Sequence, residues 1–275
     1  MPLRTIKNVD FEGKKVLYRV DYNVPLKEDG IIRDDTRIRE TLPTIKYMRE
    51  KGAKIIILTH LGRPKGEKKL ELSLKPVSEK LSEILGINVP LIDNIFSEET
   101  KNIINNLKNG EVILFENLRF YKEEEKESEE FAEKLSEYGD IYVSDAFAVS
   151  HRANTSVFLL PTLLPSYAGF LMEKEYNILS KLIKNPEKPF VLIIGGAKIS
   201  DKIGVLKNLV NIVDTILIGG GAAFTFIKAE GYNIGSSIYE NEMESLALEI
   251  INLASKKGVK LILPVDVNTT EELRE

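Results

Sequence analysis

Cysteine is missing from all 275 residues. That excludes a disulfide framework, a thiolate nucleophile and a cysteine-ligated zinc site. Long apolar runs are missing as well: none approaches the roughly 18 residues that a bilayer span needs. The N-terminal stretch MPLRTIKNVDFEGKK has no apolar core of the kind a signal peptide carries. Nor is there a basic excess. The 38 Lys and Arg are outnumbered by 42 Asp and Glu, a net charge of −4, which argues against general affinity for nucleic acid. The simplest reading is a cytoplasmic protein with no nucleic-acid or membrane partner, in which any bound anion is met by a local cluster of cations.

What is present is the composition of an ordinary globular protein, 43% hydrophobic and 29% charged, with enough chain for one large or two medium domains. Strand and helix patterns alternate almost without interruption. Strands are expected at 15–21, 54–60, 88–93, 111–117 and 141–147, the last closing the first series. Helices are expected at 34–52, 73–86 with Ser73 as N-cap, 97–110 and 128–139. A tight turn is expected at Asp29-Gly30. The stretch SYAGFLMEKEYNILSKLIK (166–184) reads as one helix of about five turns. The pattern then restarts, with strands at 190–196, 215–220 and 260–266 and helices at 201–213, 222–231 and 239–258. Short apolar strands separated by amphipathic helices indicate parallel sheets covered on both faces. The expected fold is α/β, two doubly wound parallel-sheet (Rossmann-like) domains joined by a hinge helix. The expected segments are 1–167, a hinge helix at 168–185, and 186–275, the last a truncated domain whose three strands make a thin sheet.

In open parallel sheets, ligands bind at the carboxyl ends of the strands. Asp21 and Asn23 follow the first strand, His60 and Arg63 the second, Arg119 the fourth, and His151 and Arg152 the fifth. Arg37 lies near the start of the first helix. Four arginines and the only two histidines thus fall at or near one rim, and a partner with several negative charges accounts for them, since the guanidinium fork suits carboxylate and phosphate. For each histidine taken alone, a structural and a functional role weigh evenly. A metal site does not fit their spacing. The acidic run KEEEKESEE (122–130) reads as a solvated loop and helix start. In the second half, GGAKISDKIG lacks the P-loop spacing and GGGAAF fails the dinucleotide fingerprint. Their glycines fit either close packing or backbone approach to a phosphate, and Lys198 and Lys202, four apart near a helix start, favour phosphate.

Together these segments resemble the phosphoglycerate kinase family. The carriers are YRVDYNVPL (18–26), DDTRI (34–38), THLGRPKG (59–66), ENLRF (116–120), DAFAVSHRANTS (145–156), AGFLMEKE (168–175), GGAKISDKIG (195–204), IGGGAAFTF (218–226) and LPVDV (263–267). They stand in the family's order along the whole chain. The resemblance implies a hinged, monomeric enzyme of glycolysis moving a phosphoryl group from 1,3-bisphosphoglycerate to ADP, giving 3-phosphoglycerate and ATP by direct in-line transfer. It implies a phosphoglycerate site at Asp21, Tyr22, Asn23, Arg37, His60, Leu61, Gly62, Arg63, Arg119 and Arg152. It implies nucleotide contacts at Lys202, Gly219, Gly220 and Gly221, catalytic roles for Arg37, Lys198 and Lys202, and Mg²⁺ bound with the nucleotide. Two departures stand out. Ala148-Val149-Ser150 replaces the family's usual Gly-Thr-Ala, and family motifs that follow LPVDV are not found, so a fragment that binds 3-phosphoglycerate without transferring phosphate is the alternative reading.

Overall fold

The computed structural model describes residues 3–270; residues 1–2 and 271–275, the outer ends of the first and last expected segments, lie outside the described residues. The chain divides into two compact units, Met1–Asn177 and Ile178–Glu275.

The first unit is built on six parallel strands: β1 (Lys15–Arg19), β2 (Lys54–Leu58), β3 (Leu91–Ile92), β4 (Val112–Phe115), β5 (Ile141–Ser144) and β6 (Ser166–Ala168). Their spatial order is β3-β4-β2-β1-β5-β6. The helices between them are α1 (Thr36–Arg39), α2 (Leu42–Glu50), α3 (Lys75–Leu85), α4 (Glu98–Asn106), α5 (Glu129–Ser136), α6 (Thr155–Phe158) and α7 (Leu160–Leu163). Alternation along each strand splits the interior into two cores. Val16 and Tyr18, Ile55 and Ile57, Val112 and Leu114, and Ile141 and Val143 face one side, where they meet Ile45 and Met48 of α2 and Val77 and Leu81 of α3. Leu17, Ile56, Leu58, Ile113, Phe115 and Tyr142 face the other, against Ile104 of α4, Phe131 and Leu135 of α5, and Leu160 of α7. Both faces are dry, which is why these strands read as continuous apolar runs.

Four local expectations are corrected. The helix expected over 34–52 is two, α1 and α2. Pro43 in the first turn of α2 has no N–H to give and crowds the carbonyl four residues back, so one continuous helix cannot pass through it. The first series does not close at the fifth strand: Ser166–Ala168 adds a sixth at the edge beside β5, and the helix follows only at α8 (Phe170–Lys184), about four turns long. Leu74, not Ser73, occupies the N-cap of α3; the Ser73 hydroxyl instead donates to Glu116 Oε2 at 2.6 Å. The third strand shrinks to Leu91–Ile92. The turn at Asp29-Gly30 forms as expected, with Lys27 and Ile31 hydrogen-bonded across it and Gly30 at a positive φ.

Helix α8 runs across the division between the units. The second unit holds β7 (Val191–Ile194), α9 (Ile203–Leu209), β8 (Thr215–Ile218), α10 (Gly221–Ala229), α11 (Glu244–Lys257) and β9 (Lys260–Ile262), its three strands parallel in the order β7-β8-β9. Its core gathers Ile194, Ile199, Leu206, Ile216, Ile218, Phe226 and Ile250. Among the described residues no helix is long and apolar enough to cross a membrane.

Candidate functional site

In the first unit the loops leaving β1, β2 and β4 are fastened to one another by side-chain amides. The Gly62 N–H donates to Asn23 Oδ1 at 2.8 Å, tying the second loop to the first. Asn117, fully buried after β4, accepts from the Leu61 N–H at 3.2 Å and donates to the Leu61 and Leu72 carbonyls at 2.8 and 2.9 Å. Arg119 Nη1 donates to the Gly62 carbonyl at 2.7 Å. Gly62 sits at φ +61°, where a Cβ would also run into the Leu72 side chain, so the turn needs glycine. Tyr22 and Leu61 have buried side chains. The Tyr22 hydroxyl pairs with Thr41 Oγ1 at 2.7 Å and its N–H with Thr59 Oγ1 at 2.9 Å. Both side chains therefore point into the core beneath these loops.

Arg19, Arg37, Arg119 and Arg152 gather near His60. Burial, followed by the charges of Arg19, Arg119, Arg152 and Arg37, pushes the His60 pKa down to about 2, so the imidazole is neutral at every ordinary pH. Arg19, at the last position of β1, is fully buried; its Nε donates to Ser156 Oγ at 2.8 Å, its Nη1 to the Val20 carbonyl, and its Nη2 lies 3.3 Å from His60 Nδ1. Glu124 supplies the compensating charge 3.8 Å away. It too is fully buried, and its two oxygens accept from the Ser156 N–H and Oγ at 3.0 and 2.7 Å. Burial raises the Glu124 pKa, opposed by Arg19 and by the bonds from Ser156. Arg37 pairs with Asp21, and Asp21 Oδ1 is 3.9 Å from His60 Nε2. Arg119 Nε is 3.2 Å from Glu125 Oε1 but is not aligned to donate to it. Arg152, half-buried, and Arg63, exposed, make no side-chain ion pair among the described residues. Their charge is uncompensated, and the arrangement is suited to holding a polyanion.

The sequence-predicted residues divide accordingly. His60, Arg37, Arg119 and Arg152 share one electrostatic neighbourhood with Asp21, whereas His151 is exposed. Three contributors escaped the sequence reading. Arg19 hides inside the expected first strand, Asn117 ends the strand expected at 111–117, and Glu124 sits in the acidic run read as solvated. No sequence signal marks Glu124, because an acidic run gives no hint of which member turns inward.

In the second unit the glycine turns after β7 and β8 pack backbone to backbone. The Ala222 N–H donates to the Gly196 carbonyl at 2.8 Å. A Cβ on Gly220 would lie 3.0 Å from Gly196 N, and one on Gly221 3.0 Å from Ala197 O, so close packing accounts for these two glycines. Gly219 faces open space. Lys198 is exposed, and Lys202 is half-buried, its ammonium end lying against Gly196. Among the described residues no group of three His, Cys, Asp or Glu could hold a metal ion.

A doubly wound α/β chain with a cluster of arginines beyond the strand ends is the class that fold and site define. Residues 6–275 match the family model described as phosphoglycerate kinase. Two curated relatives of that name are 52% identical over 270 residues, from Dictyoglomus turgidum, and 51% identical over 275 residues, from Borrelia turicatae. They cover 98% and 100% of this chain, which spans 68% and 70% of theirs. The solved phosphoglycerate kinase of Coxiella burnetii superposes with a TM-score of 0.84 at 41% identity, covering 96% of this chain and 66% of its own. That of Pyrococcus horikoshii gives 0.82 at 34% identity. The chain belongs to the phosphoglycerate kinase family, and it spans about two thirds of the length of these relatives.

Proposed function

We propose that the chain serves the glycolytic transfer of a phosphoryl group between 1,3-bisphosphoglycerate and ADP, its first unit holding the phosphoglycerate. The observation that carries this reading is the cluster of Arg37, Arg119 and Arg152 around a neutral His60, with Arg152 free of any carboxylate partner among the described residues. A phosphoglycerate offers a carboxylate and a phosphate, and bidentate guanidinium contacts suit both.

In the direction of ATP formation, the acyl-phosphate P–O bond breaks as a terminal oxygen of ADP bonds to phosphorus, leaving 3-phosphoglycerate as a carboxylate. In reverse the nucleophile is that carboxylate, already ionised at neutral pH. No proton has to be removed from it, which suits a site whose one buried imidazole is a weak base. The protein's work is alignment and charge stabilisation in a direct in-line displacement without a covalent enzyme intermediate. Arg37 and Arg152 bear on the phosphoglycerate; Lys198, Lys202 and the Gly219–Gly220–Gly221 turn bear on the nucleotide phosphates. Magnesium enters as part of the nucleotide substrate and supplies further charge neutralisation there.

Calorimetric titration with 3-phosphoglycerate tests the binding half. Micromolar to millimolar affinity that collapses in Arg37→Ala and Arg152→Ala is expected, and unchanged affinity in both variants overturns the reading. A coupled assay for ATP formation tests transfer separately. Binding without turnover supports the second reading, a chain that holds phosphoglycerate only.

A further inference from the structure

Glu240 stands in the irregular segment between α10 and α11, yet it is only 8% exposed. It has no ion pair among the described residues. Instead its carboxylate is turned onto a single loop of the same unit. Oε2 accepts from the Ile199 N–H at 2.6 Å and the Ser200 N–H at 3.0 Å, and Oε1 accepts from Ser200 Oγ at 2.6 Å. The Glu240 N–H in turn donates to Thr225 Oγ1 at 3.1 Å, inside α10. These bonds, with the Ser200 hydroxyl foremost, hold the carboxyl below the usual carboxylate range, and Lys198 adds to the effect.

The loop so held is the one that carries the two lysines. Lys198 precedes the pair of captured amides and Lys202 follows it. Between them the Ile199 side chain is fully buried in the unit's core. The loop is therefore pinned from both sides, by a hydrophobic anchor below and by the carboxylate beside it. Lys198 is left outward and Lys202 lies against Gly196. Through Thr225 the same residue couples this loop to the helix that begins at Gly221, and the Gly196–Ala222 hydrogen bond makes a second tie between those elements. Both carboxylate oxygens accept from this one loop, and with the buried Ile199 side chain they hold its backbone in one shape.

We propose that Glu240 is a positioning residue for a nucleotide-phosphate loop, fixing the backbone at Ile199-Ser200 so that Lys198 and Lys202 meet the phosphates of ADP or ATP in a set geometry. The inference rests on the nucleotide reading of this unit given above. Two substitutions separate geometry from charge. Glu240→Ala removes all three acceptor contacts. Glu240→Gln keeps an oxygen for the two amides and can turn its NH₂ toward the Ser200 hydroxyl, which accepts as readily as it donates.

The test is Mg·ADP affinity by calorimetry on the full chain, with amide hydrogen exchange at Ile199 and Ser200 and 3-phosphoglycerate affinity measured in parallel. Glu240→Ala is expected to weaken Mg·ADP by about tenfold or more, to lose protection at both amides, and to leave 3-phosphoglycerate binding unchanged. Glu240→Gln is expected to restore most of the affinity. If Glu240→Ala fails to fold, Ser200→Ala takes its place, with a loss of about threefold expected for one bond of three. Wild-type binding of Mg·ADP matched by a folded Glu240→Ala or Ser200→Ala variant overturns the inference and leaves the nucleotide reading standing. Failure of the wild-type chain to bind Mg·ADP overturns the nucleotide reading itself, and the inference with it.

Discussion

Arg19 and His60 lie side by side in the interior, Nη2 to Nδ1 at 3.3 Å, and a guanidinium can only donate. Nδ1 is therefore the acceptor, and the one proton of the neutral ring is on Nε2, the nitrogen that looks toward Asp21. The site thus contains a neutral hydrogen-bond donor among cations. It can bind an anion without gaining or losing a proton.

The first prediction concerns pH. His60 is held at a pKa of about 2 in the folded chain against an ordinary value of 6.5, so the unfolded chain takes up a proton that the folded chain refuses. The stability this contributes is fully present above pH 6.5 and is lost as pH falls below it. Between pH 6.5 and 5 the loss amounts to about 2 kcal/mol. Urea unfolding at several pH values, in wild type and His60→Gln, measures it. Parallel pH profiles for the two proteins would contradict the assignment.

Two members of one acidic run should behave in opposite ways. Glu124→Ala strands the Arg19 guanidinium in the interior and is expected to cost about 3–5 kcal/mol, as breaking a buried pair does. Glu130, paired with Lys134 on the exposed face of α5, should leave stability nearly unaltered on the same change, because solvent screens the pair. Chemical denaturation of the two variants decides; equal effects would mean that Glu124 is not buried as described.

Gly169 has no room for a methyl group. A Cβ there would fall within contact distance of both Asp145 carboxylate oxygens. That carboxylate accepts from Tyr18 Oη and Thr44 Oγ1 at 2.6 Å each and from the Met172 N–H at 2.8 Å, so it caps the first turn of α8. Gly169→Ala is expected to destabilise by about 1–3 kcal/mol through overpacking. Thermal unfolding checks this, and Asp145→Ala in the same background should add less than it does alone.

Arg119 and Arg152 should part company when truncated. Arg152 makes no side-chain ion pair or hydrogen bond among the described residues. Arg152→Ala should therefore leave the unfolding midpoint in place while weakening 3-phosphoglycerate by roughly tenfold to a hundredfold, the range for a charged hydrogen bond. Arg119 also holds the Gly62 carbonyl, so Arg119→Ala should lower both. Calorimetry and a melting curve on each variant give the comparison.

Much of this was legible in the sequence, and the failures share a cause. KIIIL and VILF announce strands buried on both faces because four successive residues in each, Ile55–Leu58 and Val112–Phe115, are apolar. Ser166–Ala168 does not, since a three-residue edge strand needs no apolar run and Tyr167 and Ala168 lead smoothly into a helical pattern. His60, Arg119 and Arg152 could be found because they follow strands, where α/β ligands collect. Arg19 and Glu124 could not. A charge buried by its partner looks, in one dimension, the same as a charge in water, and 105 residues separate these two. Tyr22 and Leu61 stand beside polar loop residues in the sequence, but their side chains turn into the core, which a one-dimensional pattern in a loop does not announce.

The position of β1 has a consequence for how the chain comes to be folded at all. Val16 lies between Ile55 of β2 and Ile141 of β5. During synthesis, then, the earliest strand gains one neighbour soon and waits for the other until more than a hundred further residues have emerged. Until then one side of a strand whose centre is Val16, Leu17 and Tyr18 is an open template for pairing with the wrong partner. Such long-range closure makes for slow folding, so yield from a cell should depend on the pace of translation and on chaperone supply more than on the stability of the finished molecule.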